Sequence, residues 1–224
     1  MRELWGFLRD STPERRRQRY GDMEFDWEHR VNTSSGTLTW RERLLGVFLS
    51  PYQPTDPVMF DEMMQSLAID FREFAFIDLG SGKGRTLLMA SNYPFRRIIG
   101  VEIVPELHRA AEANAHIYHG RRVEKQIAAS RHEPARNQSQ IECICADALG
   151  FDFPAEPIVL YLFNPVSEAG LTRVLENLAR SLREHPRKVY MLYHNPLLEK
   201  VLMSSAVVEK VGGTLQFSVY ANQV

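Results

Sequence analysis

The sequence predicts an α/β fold, with a mostly parallel sheet covered by helices on both faces, a closing antiparallel hairpin, and a helical N-terminal extension. Three observations predict it. From Phe74 onward, short continuous apolar runs alternate with helical stretches, the pattern of strands buried on both faces. A glycine-rich turn stands where the first run gives way to a helix. The last stretch reads as two strands around Gly212-Gly213, a hairpin signal that a plain dinucleotide-binding domain lacks.

The 224 residues, 44% of them apolar, suffice for one sizeable core and are too few for two. We divide the chain into an N-terminal extension or lid over 1–55 and a main α/β domain over 56–224. The first thirty positions mix seven basic and seven acidic side chains, including Arg15-Arg16-Arg17, a charged face that could also steer an acidic partner. A formal net charge of −1 gives no global field that draws the protein to nucleic acid, and it forbids no such partner. Charges interrupt every apolar run of the N-terminus, and no segment approaches the roughly 20 apolar residues of a membrane span, so a cytoplasmic location is expected. The two cysteines, Cys143 and Cys145, point to one face of a strand and are expected to be reduced and buried.

Each element has its own signal. Asp56-Pro57 is an N-cap followed by a first-turn proline, and Met59, Met63 and Leu67 give the stripe of an amphipathic helix. Strands are expected over 74–79, 98–101, 141–145, 158–163 and 189–193. Helices are expected over 85–92, over 105–118 with Gly120 past its end, and over 171–182. Residues 121–140 carry five basic and two acidic side chains and read as a solvated extension and loop. His116 and His119 belong on a solvated face.

The chemistry concentrates in Asp78-Leu79-Gly80-Ser81-Gly82-Lys83-Gly84. Three glycines in five residues allow a tight turn and let a ligand lie on the backbone, and the helix start that follows offers free N–H groups. The dinucleotide fingerprint needs glycine at position 85, which is Arg85, and a phosphate loop needs a longer spacing. Asp78 instead supplies a carboxylate able to hold an ammonium group. Glu102 ends the next strand, 20 residues after Gly82, where an acid can take both hydroxyls of a ribose. Asp147-Ala148 follows the third strand and suits an adenine amino group.

With these residues the chain resembles the class I S-adenosylmethionine-dependent methyltransferases, over roughly residues 55–220. The resemblance implies a Rossmann-like, seven-stranded sheet. It implies S-adenosyl-L-methionine as cofactor, with Asp78, Gly80, Ser81, Gly82 and Gly84 at its methionine part, Glu102 at its ribose and Asp147 with Ala148 at its adenine. Asn164-Pro165 partly resembles the N-P-P-aromatic motif of amino-group methyltransferases, although Val166 and Ser167 replace its last two positions. Pro165 also reads as the start of the next helix. Pro51-Tyr52-Gln53-Pro54-Thr55 resembles the segment that precedes the cofactor domain in non-SET protein-lysine methyltransferases, including the histone-lysine enzymes of this fold and those of the ATP synthase c-ring. That likeness brings Thr55 to the cofactor and Tyr52 to the acceptor channel. Tyr52 and Asn164 are the expected catalytic residues, with Phe163 beside them favouring a neutral lysine amine. The acceptor is expected to be a protein lysine. A small-molecule O- or N-methyltransferase and a non-catalytic cofactor-binding module are the alternatives. His194, at the end of the fifth strand, is the histidine best placed to reach the site.

Overall fold

The computed structural model describes residues 23–34, 54–129 and 140–223. Tyr52, Arg15-Arg16-Arg17 and most of the loop after Ala129 lie outside them. Seven strands form one sheet: β1 (Ala75–Leu79), β2 (Arg97–Glu102), β3 (Ile141–Cys145), β4 (Ile158–Leu162), β5 (Val189–His194), β6 (Glu209–Gly213) and β7 (Phe217–Ala221). Their order is β3-β2-β1-β4-β5-β7-β6. The first five are parallel, and β7 joins β5 antiparallel and carries β6 beyond it. This is the predicted Rossmann-like sheet with its antiparallel end.

The helices are α1 over 23–29, then α2 (Pro57–Gln65), α3 (Arg85–Ala90), α4 (Pro105–Ala129), α5 (Glu168–Glu184) and α6 (Glu199–Met203). Asp56 caps α2 as its sequence predicts, accepting from the amides of Val58 at 2.9 Å and Met59 at 3.1 Å. β1 and β4 are buried along their whole length because helices cover both faces. One core holds Ile77, Leu79, Leu160, Leu162, Leu171 and Val174. The other, across the sheet, holds Phe60, Met63, Phe76, Leu87, Tyr161 and Leu192.

Three expectations are corrected. α4 runs through Gly120 to Ala129; a helical glycine costs only about 1 kcal/mol, and the helix-favouring residues after it outweigh that. In the hairpin, Gly212-Gly213 closes β6, and the turn is Thr214-Leu215-Gln216, shut by Thr214 N–H donating to Phe217 O at 2.7 Å. Gly213 sits at φ 127, and the Phe217 carbonyl oxygen presses on the place a Cβ would take, so only glycine fits there. Cys143 is half-buried and Cys145 exposed, because β3 is an edge strand with one neighbour. His116 and His119 are exposed, as expected. Among the described residues, no helix is long and apolar enough to cross a membrane.

Candidate functional site at the carboxyl edge of the sheet

β1 ends at the middle of the sheet, and the chain turns there through Gly80, Gly82 and Gly84, all left-handed at φ 81, 54 and 82. Gly80 must be glycine twice over, since a Cβ would also lie 2.6 Å from Pro165 Cβ. Gly80 and Ser81 donate their amides to Val101 O on β2, at 2.8 and 3.1 Å, which pins the turn to its neighbour. Gly84 then caps α3 without a side chain.

Two buried carboxylates flank the turn. Asp78 is 3% exposed. Burial pushes its carboxyl up to about 7, with a hydrogen bond from Thr86 Oγ1 opposing the rise and the nearby Glu102 adding to it. Glu102 is 1% exposed and accepts from Gly82 N and Val104 N, both at 2.8 Å. Burial raises its carboxyl as well, and those amides work against the shift. A carboxylate offers about four acceptor sites, so Glu102 keeps room for an incoming hydroxyl beside the backbone amides of Gly82, Ile103 and Val104.

Beyond Glu102 a cleft of about 210 Å³ opens, lined by Gly80, Glu102, Asp147, Ala148, Pro165 and Ser167 among others. The predicted ribose and adenine residues therefore share one wall with the glycine turn. Asp147 is exposed, and its Oδ1 caps the turn that follows by accepting from Leu149 N at 2.9 Å. The opposite wall, from Pro165 to Gly170, was only half legible: α5 starts at Glu168 behind Ser167 as cap, and Pro165 packs on Gly80 instead of opening the helix.

The other half of the edge lies over β4 and β5. An Asn-Pro pair follows each strand, and Asn164 and Asn195 are both left-handed at φ 48, a conformation that asparagine tolerates better than most residues other than glycine. They are tied together. Asn164 Nδ2 donates to Asn195 O at 2.8 Å, and Tyr193 Oη donates to Asn164 Oδ1 at 2.7 Å. Asn164 thus has its side chain satisfied inside the fold, and its carbonyl accepts no backbone hydrogen bond among the described residues. Thr55 is buried, with Oγ1 2.6 Å from Tyr161 Oη, and Tyr161 Oη lies 2.9 Å from His194 Nδ1. The His194 ring stacks on Phe163 at 4.0 Å between centroids. Burial lowers the imidazole to about 4, against the pull of the Asp56 carboxylate. His194 is therefore neutral at physiological pH.

Residues 23–34 clasp the glycine turn from behind, a contact the sequence did not signal. Arg85 is buried; its Nε donates to Thr33 Oγ1 at 2.7 Å, its Nη2 lies 3.4 Å from Asp26 Oδ1, and its guanidinium lies 5.0 Å from the Phe25 ring centroid. Lys83 Nζ donates to Ser34 O at 3.0 Å and Asn32 Oδ1 at 3.3 Å. Asn114 of α4 completes the clasp, accepting from Asn32 N at 2.9 Å and donating to Lys83 O at 3.0 Å.

No family profile and no curated protein matches this chain. Solved structures do. The rRNA methyltransferase AviRa of Streptomyces viridochromogenes superposes with a TM-score of 0.51 at 15% identity, over 79% of this chain and 88% of its own. The PH0226 protein of Pyrococcus horikoshii gives 0.51 at 16% identity, over 88% and 98%. An RNA methyltransferase of Salinibacter ruber, solved with S-adenosyl-L-homocysteine, gives 0.45 at 22% identity, over 75% and 91%. The first two likenesses show the Rossmann-like fold, which AviRa, a methyltransferase, shares.

Proposed function

We propose that the protein is an S-adenosyl-L-methionine-dependent methyltransferase acting on an amine nitrogen, with a protein lysine as the acceptor. The observation that carries the cofactor reading is the pairing of the three-glycine turn with Asp78 and Glu102. A backbone with no side chain in the way, a carboxylate for an ammonium group and a second for a diol match an amino-acid-bearing nucleoside, whereas a dinucleotide has no ammonium to offer Asp78. The AviRa fold match is consistent with it.

When bound, S-adenosyl-L-methionine supplies an electrophilic methyl, so that an amine lone pair forms the N–C bond while the C–S pair stays on sulfur. This chain's residues bind and align. Asp78 holds the ammonium end, Glu102 the ribose, and the Asp147-Ala148 wall the adenine. Alignment of this kind is worth on the order of 7–11 kcal/mol in well-oriented systems. The lysine reading rests on Phe163 and the Asn164 carbonyl past the end of β4, and on the sequence likeness that assigns Tyr52 to the acceptor channel. An apolar aromatic wall favours the neutral, nucleophilic amine.

The test is transfer of a labelled methyl from S-adenosyl-L-methionine to polylysine and to free small amines. Incorporation into polylysine that Asp78→Ala abolishes supports the proposal. Cofactor binding without transfer to any amine would leave the non-catalytic reading in its place.

A further inference from the structure

The geometry points to His194 as the group that orients the methyl acceptor, its Nε2 accepting a hydrogen bond from the reacting amine; this rests on the methyltransferase reading above. Register places it there. β1 pairs with β4 through Leu79 and Leu162, and β4 with β5 through Leu162 and Tyr193. Gly80, Phe163 and His194 each come one residue later, so they stand in one row across the carboxyl edge. Neighbouring strands lie about 4.8 Å apart, which puts His194 roughly 10 Å across the edge from the glycine turn. Side chains alternate faces, so Asp78 and Tyr161, two residues earlier in the row, point to the same face as Phe163 and His194. The ammonium-binding carboxylate and the imidazole therefore share one side of the sheet.

The ring is held in place on two sides and open on a third. Phe163 stacks on its face, and Tyr161 Oη, backed by Thr55, occupies Nδ1. Nε2 has no hydrogen bond among the described residues. Among the described residues the sealed, unpaired side-chain atoms are His108 Nδ1 and Arg187 Nε, and His194 Nε2 is not one of them. A polar atom on a ring fixed at the carboxyl edge, where the acceptor must arrive, is what alignment requires.

The chemistry fixes what Nε2 does. A neutral amine has one lone pair, which must face the methyl, and N–H bonds that need acceptors elsewhere. Holding one N–H on Nε2 aims the lone pair. The proton then sits on Nδ1 and donates to Tyr161 Oη. With its depressed basicity the imidazole is an acceptor of a hydrogen bond and no store for a proton, so the proton of the product ammonium leaves to water.

The test uses the full chain saturated with S-adenosyl-L-homocysteine and n-butylamine as the lysine side-chain probe, at about pH 10 where much of the amine is neutral. Histidine ring ¹⁵N resonances are followed, the His194 signal being assigned by its loss in His194→Phe. The expected result is a saturable shift of His194 Nε2 in the Nδ1–H tautomer. His194→Phe, which keeps the stack on Phe163, is expected to weaken butylamine binding at least tenfold while leaving S-adenosyl-L-homocysteine affinity within twofold. The inference is overturned by an Nε2–H tautomer in the complex, by an absent or unsaturable shift, or by unchanged butylamine affinity in the variant. Failure of the wild-type protein to bind S-adenosyl-L-homocysteine defeats the methyltransferase reading itself, and this inference with it.

Discussion

Asp78 is buried where a carboxylate is costly, and replacing it with asparagine separates what it does for folding from what it does for binding. Its carboxyl rises from 3.8 to about 7 in the folded chain, mainly through burial. Between those values the folded state keeps a proton that the unfolded state has released, so stability falls as pH rises through the window and is lowest above 7. Three pH units at 1.36 kcal/mol each make the ionised group cost about 4 kcal/mol. The substituted amide would still accept from Thr86 but would leave an N–H unpaired, at about 1–3 kcal/mol. Asp78→Asn should therefore gain about 3 kcal/mol over wild type between pH 5 and pH 8, enough to turn parity or slight destabilisation at pH 5 into a clear stabilisation at pH 8. At about 2–4 °C per kcal/mol the thermal midpoint shifts by some 5–10 °C relative to wild type across that interval. Denaturation followed by circular dichroism at both pH values reads this directly. Cofactor affinity should move the other way, falling at least tenfold in the variant because the ammonium loses its counter-charge. A stability difference between variant and wild type that does not change with pH would refute the reasoning.

Other perturbations give equally definite outcomes. Wild-type affinity for S-adenosyl-L-methionine should strengthen as pH rises to about 7 and then level off, as Asp78 ionises; calorimetric titration from pH 5.5 to 8.5 reads the curve. Glu102→Ala strands the amides of Gly82 and Val104, so it should lower the thermal midpoint as well as affinity, each stranded group costing about 1–3 kcal/mol. Gly80→Ala meets both the positive φ and Pro165 and should cost at least about 2 kcal/mol by denaturant unfolding. Arg85→Met removes the guanidinium from Thr33 and Asp26. Hydrogen exchange should then rise selectively over residues 23–34, and uniform protection there would count against the clasp.

The parts of the fold readable in the sequence are those governed by local rules. Asp56-Pro57 caps a helix wherever it stands, and the runs that became β1 and β4 are apolar without alternation because helices cover both faces. The glycine turn, Asp78 and Glu102 were legible because each stands at or just past the carboxyl end of a continuous apolar run. What escaped depends on residues far apart in the chain. Thr55 meets Tyr161 across 106 positions and Arg85 meets Thr33 across 52. An arginine just past a glycine loop reads as solvated until a segment from another part of the chain buries it. Cys143 and Cys145 look like core residues in a run that gives no sign of standing at the edge. Gly120 and Gly212-Gly213 look like punctuation because local sequence shows neither the helix that carries on nor the threonine that makes the turn.

The most direct test of the central claim, that the glycine turn with Asp78 and Glu102 binds S-adenosyl-L-methionine, is calorimetric titration of the wild-type, Asp78→Ala and Glu102→Ala proteins with the cofactor and its demethylated product. The account predicts one site per chain for both ligands, weakened more than tenfold, or about 1.4 kcal/mol, by either substitution. Absence of binding to the wild-type protein, or binding that neither substitution alters, would contradict it.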